Sequence, residues 1–156
     1  MRRVLFLGLL LLAGCDTSRV YEYNIDFDER FWPASEKPKF EFHISDPGKT
    51  YNVYYNIRNS IDYPYARIFV QYALSDSLGN ELKSELKSAY LFDEVTGKPF
   101  GSSGIGDIYD HQFSLLKAYQ FPRRGKYVIQ LEQFTRQDTL SGILAVGVRV
   151  EENIKP

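Results

Sequence analysis

The sequence predicts an all-β protein, an antiparallel β-sandwich of roughly eight strands. Three observations predict it. Apolar and polar residues alternate with a period of two in run after run, as on a strand with one buried face. Turn residues punctuate those runs at short intervals. The 156-residue chain also carries 12 tyrosines and 11 phenylalanines, and aromatic side chains suit a pleated, half-buried surface.

Tyr21, Tyr23 and Ile25 alternate with Val20, Glu22 and Asn24, and Phe40, Phe42 and Ile44 alternate with Lys39, Glu41 and His43. Each run reads as a strand. The clearest lies in Thr50 to Asn59, where Tyr51, Val53, Tyr55 and Ile57 share one face and Asn52, Tyr54, Asn56 and Arg58 the other. Arg67 to Leu74 sets Ile68, Val70, Tyr72 and Leu74 on one side. Glu81 to Phe92 is assigned a strand, although Leu82, Leu86, Ala89 and Tyr90 also fit helical spacing. Tyr127, Ile129 and Leu131 alternate with Gln130 and Glu132, and Leu144, Val146, Val148 and Val150 end the series. Between the runs stand turn signals such as Asp46-Pro47-Gly48, Asp76-Ser77-Leu78-Gly79-Asn80 and Thr96-Gly97-Lys98-Pro99. Two segments break the pattern and are expected to be loops: Asp28 to Pro38, with the sole tryptophan Trp32, and Phe100 to Asp110, rich in glycine. No repeat or low-complexity run supports a solenoid or coiled coil.

The N-terminus has a different character. Arg2 and Arg3 precede the apolar run Val4 to Leu12, which is short for a permanent bilayer-spanning helix and has the layout of a secretion signal. Leu12-Ala13-Gly14-Cys15 resembles the lipobox of bacterial lipoproteins, which implies cleavage before Cys15 and acylation of its sulfur and new amino group. Several acyl chains make a stable anchor, at roughly 0.8 kcal/mol for each buried methylene. Cys15 is the only cysteine, and a lone thiol on an exported protein is otherwise unusual. The expected organisation is a signal peptide over 1–14, a lipidated cysteine and short tether over 15–19, and a single β-sandwich domain over 20–156.

Composition excludes several function classes. Nineteen basic residues balance 20 acidic ones, leaving a formal charge of −1, so no summed field favours nucleic acid. With one cysteine and only two histidines, His43 and His111, the sequence holds no Cys/His cluster for zinc. Gly101-Ser102-Ser103-Gly104-Ile105-Gly106-Asp107 lacks the Gly-Lys-Ser/Thr and the strand-to-helix context of a phosphate loop, and reads as an inter-strand loop. Asp107, Asp110 and His111 are the candidate metal ligands, joined in sequence by Asp93 or Glu94, but their spacing specifies neither an oxygen cage nor a closed nitrogen set. Turn and capping hydrogen bonds are the expected role of those aspartates. Ser102 or Ser103 with His111 would be required for a hydrolase, and no nucleophile-elbow motif places a serine. His43 reads as solvated and Arg58 as paired to a neighbouring carboxylate or carbonyl. Tyr54, Phe69 and Phe134 fall opposite their strands' main apolar positions, and form the candidate surface for a partner protein or, alternatively, a glycan. Neither a catalytic residue nor a cofactor is expected, and no small-molecule substrate.

Over nearly its whole length the chain resembles the gliding motility lipoprotein GldH family of Bacteroidota. The matching pieces are the lipobox at Cys15, Trp32, Tyr55-Asn56-Ile57-Arg58-Asn59 with Tyr63-Pro64-Tyr65, Gly104-Ile105-Gly106-Asp107-Ile108, Phe121, Gly125-Lys126-Tyr127, Glu132-Gln133, Arg136, Leu140 and Gly147-Val148-Arg149-Val150. Thr135 stands where a methionine is expected. The resemblance implies a non-enzymatic, accessory or structural role in gliding, in which envelope machinery tied to type IX secretion moves surface adhesins. It implies partners among the gliding and secretion proteins of the envelope and carries over no site residue except Cys15. The outer membrane, periplasmic face, is the favoured location, with the inner membrane as the alternative because Asp16 follows Cys15.

Overall fold

The computed structural model describes residues 17–154, so the signal peptide and Cys15 lie outside the described residues. Eleven strands are formed among the described residues. They are β1 (Arg19–Asp26), β2 (Phe31–Pro33), β3 (Lys39–Ile44), β4 (Tyr51–Ser60), β5 (Arg67–Asp76), β6 (Glu81–Tyr90), β7 (Ser102–Ser103), β8 (Ile108–Tyr119), β9 (Gly125–Gln133), β10 (Thr139–Ser141) and β11 (Ile143–Glu152). All pairings are antiparallel. One sheet has the order β1-β11-β4-β8-β7, a second β3-β9-β5-β6, and β10 and β2 form a small ribbon.

The two main sheets close face to face over one aromatic-rich core. On β4, Tyr51, Val53, Tyr55 and Ile57 are buried, and on β5, Ile68, Val70, Tyr72 and Leu74 are buried, each set following the alternation of its strand. Rings stitch the sheets together: Tyr21 on β1 meets Phe42 on β3 at 5.9 Å, and Phe121 lies 5.6 Å from Tyr51 and 4.6 Å from Tyr127. Offset and edge-on rings at these separations add to what their burial contributes. The ribbon closes one end, where Trp32 is completely buried, stacks on Phe27 at 5.8 Å and donates from Nε1 to the Glu36 carbonyl at 2.9 Å.

The structure corrects the sequence reading in two segments. Asp28 to Pro38 contains β2, because Trp32 enters the core and fixes its neighbours opposite β10. Phe100 to Asp110 contains β7 and the start of β8, which at 12 residues is the longest strand described. β8 escapes a period-two search for two reasons. His111 takes an inward position, and register shifts against Tyr51 to Tyr54 bury Leu115 and Leu116 in succession. Glu81 to Tyr90 is a strand rather than a helix, since it supplies the outer edge beside β5.

Candidate functional site

The outer face of the five-stranded sheet is polar because the odd positions of β4 are spent on the core. Asn24, Gly147, Asn56 and Gln112 stand side by side on β1, β11, β4 and β8. Gln112 Nε2 donates to Asn56 Oδ1 at 3.2 Å, and Asn56 Nδ2 donates to Asn24 Oδ1 at 3.2 Å, reaching across Gly147. Ion pairs flank this amide row: Arg58 with Asp110 at 2.7 Å on one side, Arg149 with Glu22 at 2.7 Å on the other. The Asp110 carboxylate, hydrogen-bonded to Arg58, raises the guanidinium's pKa. The groups satisfy one another.

The candidate metal ligands are not brought together. Asp110 and His111 are consecutive on β8 and point to opposite faces, one to Arg58 and solvent, the other into the core. Asp107 sits at an exposed turn whose carbonyl accepts from Ile61 N. Asp93 is occupied in its own turn, accepting from the backbone of Thr96 at 2.7 Å and Val95 at 2.9 Å, which holds its carboxyl below the usual range. Among the described residues no three histidine, cysteine, aspartate or glutamate side chains gather to hold a metal. His111 stacks on Phe113 at 5.6 Å, and burial lowers its pKa against the opposing pull of Asp110. Ser102 Oγ donates to the Asp110 carbonyl, and His111 Nε2 is buried without a hydrogen-bond partner, so no serine–histidine pair forms. His43 is exposed.

Of the three outward aromatics, the structure unites two. Tyr54 belongs to the five-stranded sheet, whereas Phe69 on β5 and Phe134 just after β9 lie on the other side of the sandwich. A single platform of three rings does not form. Phe134 N donates to the Phe69 carbonyl at 2.9 Å, which holds the two residues adjacent at the mouth of a groove of about 810 Å³. Tyr65, Arg67, Glu94 and Arg136 complete its character. The Arg67 guanidinium lies 4.3 Å over the Tyr90 ring, donates to its hydroxyl, and approaches Glu94 at 3.5 Å. Arg67 shares the parity of Phe69 on β5 and is legible as outward-facing from sequence. Arg136 and Glu94 come from loops that only the fold brings together.

The sequence profile of the GldH lipoprotein family matches residues 19–150. The chain belongs to that family. It is thereby a lipoprotein, anchored by lipid in the cell envelope. A gliding motility lipoprotein GldH homolog of Christiangramia forsetii is 28% identical over 152 residues, covering 93% of this chain and 91% of the relative. The gliding motility lipoprotein GldH of Flavobacterium johnsoniae is 26% identical over 156 residues, covering 96% and 94%. Among solved structures, the infectious bursal disease virus VP2 subviral particle is similar over 96% of this chain and 37% of that one, at 12% identity and a TM-score of 0.41, too distant to bear on function.

Proposed function

We propose that this GldH-family chain is a non-enzymatic structural lipoprotein of the gliding machinery, lipidated on Cys15, that works through protein contacts in the envelope. The family match across residues 19–150 carries the reading, because both named relatives are gliding motility lipoproteins that align over more than nine-tenths of their length. The outer groove of Phe69 and Phe134 fits a role in contact rather than chemistry. Asp110, tied to Arg58 on the outer face, and His111, turned inward, argue against a shared site built on those two residues. We place the anchor in the outer membrane with the domain on its periplasmic face, joined by the short tether that ends where β1 begins.

Deleting the gene is expected to abolish colony spreading or destabilise other gliding components, with restoration by the wild type and not by Cys15→Ala. Normal gliding and normal secretion in the deletion strain would overturn the role. Equal palmitate labelling of wild type and Cys15→Ala would overturn the anchor. Fractionation, with protease accessibility in intact cells, checks the membrane and its face.

A further inference from the structure

The strands give the sandwich two unlike ends. β1 begins at Arg19, level with Glu151 and Asn52, so the tether enters at the end that holds Tyr51 and Glu152. β4 runs from there through ten residues to Ser60, roughly 30 Å away at a strand's rise per residue. Tyr63 stacks on Phe92 at 6.4 Å and Phe92 meets Tyr109 edge-on at 6.5 Å at that far end, and β5 starts beside them at Arg67. The Arg67–Phe69–Phe134 groove therefore opens at the end away from the tether.

The two most exposed large apolar side chains among the described residues lie there. Ile61, Tyr65, Val95, Phe100, Ile105 and Phe134 are all exposed and all belong to loops of the far end, with Ile105 at 95% and Val95 at 94%. Loops that project bare isoleucine and valine side chains cost solvation free energy unless something covers them. Three residues separate Cys15 from Arg19, and the four Cα–Cα steps span at most about 14 Å, so a lipidated Cys15 keeps the β1 end next to the bilayer, with the groove roughly 30 Å along the strands from that attachment. The groove itself is cationic: Arg67 and Arg136 face it with Glu94 the one carboxylate among its lining residues, and Arg136 forms no ion pair among the described residues.

We propose that this far end is the docking surface of the domain and that its occupant is a protein segment pairing apolar side chains with a carboxylate, which seats on Phe69 and Phe134 and pairs with Arg136. The proposal rests on the lipid-anchored reading above and deepens it by naming the face and the partner's chemistry. The outer face of the five-stranded sheet is not the surface, because its amides and charges already satisfy one another.

The test uses the full-length lipoprotein in its native envelope, with a photo-crosslinking phenylalanine analogue at Phe134 and, as the tether-end comparison, at Leu78, which is also exposed. Position 134 is expected to give a discrete protein adduct that position 78 does not give, with the crosslinked peptide holding an aspartate or glutamate near its apolar residues. Arg136→Glu is expected to reduce that adduct about tenfold, as the reversal of a charge at an interface does, and lysine in place of the partner's carboxylate should restore it. Arg136 lies in an exposed loop, and an unchanged melting temperature for Arg136→Glu separates lost docking from lost folding. Equal adducts from both positions, an adduct with lipid, glycan or a second copy of the chain, or an adduct indifferent to Arg136→Glu would overturn the proposal. A deletion strain that glides normally would instead overturn the role while leaving the crosslink result standing.

Discussion

Replacing Gly147 by alanine probes the five-stranded sheet at the point where three strands share one gap. Gly147 stands between Asn24 on β1 and Asn56 on β4, and the Asn56 to Asn24 hydrogen bond crosses above it. A Cβ added there would lie 1.8 Å from Asn24 Oδ1 and 2.7 Å from the Tyr23 carbonyl oxygen. The Asn24 side chain can swing away, at a cost of about 1 kcal/mol for the lost hydrogen bond. The Tyr23 carbonyl is backbone, so β1 must also shift on β11, and overpacking of this kind costs about 1–3 kcal/mol. Removing a glycine from a strand returns roughly 0.5–1 kcal/mol through the unfolded chain. The net expectation for Gly147→Ala is a destabilisation of about 1–3 kcal/mol. Guanidinium denaturation followed by the fluorescence of the sole tryptophan, the buried Trp32, measures it. In an Asn24→Ala background the same substitution should cost about 1 kcal/mol less, because the Oδ1 conflict is gone. An unchanged midpoint for Gly147→Ala, or strict additivity of the two substitutions, would refute the reasoning.

Other substitutions separate core from surface. Trp32→Ala should cost about 3–5 kcal/mol by circular dichroism melts, since the indole is fully buried and its loss opens a large cavity under the ribbon. Arg58→Ala should cost less than about 1 kcal/mol, because both Arg58 and Asp110 are nearly half exposed and their attraction is screened. His111 makes stability depend on pH. Its pKa in the fold lies below the ordinary 6.5, chiefly through burial. The unfolded chain therefore takes up a proton first, and stability is full above about 6.5 and falls as pH drops below it toward the lowered folded value. His111→Phe should flatten that part of the stability profile, read as the denaturation midpoint at several pH values; an equal slope in both proteins would exclude His111 as its source.

Sequence by itself determined the class of fold and seven of its strands, because one buried face imposes a period of two that side-chain chemistry displays directly. Tyr51 to Ile57 and Ile68 to Leu74 needed no partner to be legible. The outward parity of Tyr54, Phe69 and Arg67 followed from the same alternation, and the ordered pieces from Trp32 to Val150 carried the family. Tertiary structure alone decided what the alternation cannot hold. β8 lies between β4 and β7 with a histidine facing inward and a bulge that shifts its phase, so its burial depends on neighbours remote in the chain. Trp32 makes its own segment a strand by entering the core. Asp110 and His111 are adjacent in sequence, yet the pleat sends them to opposite faces. Phe69 meets Phe134, and Tyr54 does not, because sheet membership is set by pairing among distant strands.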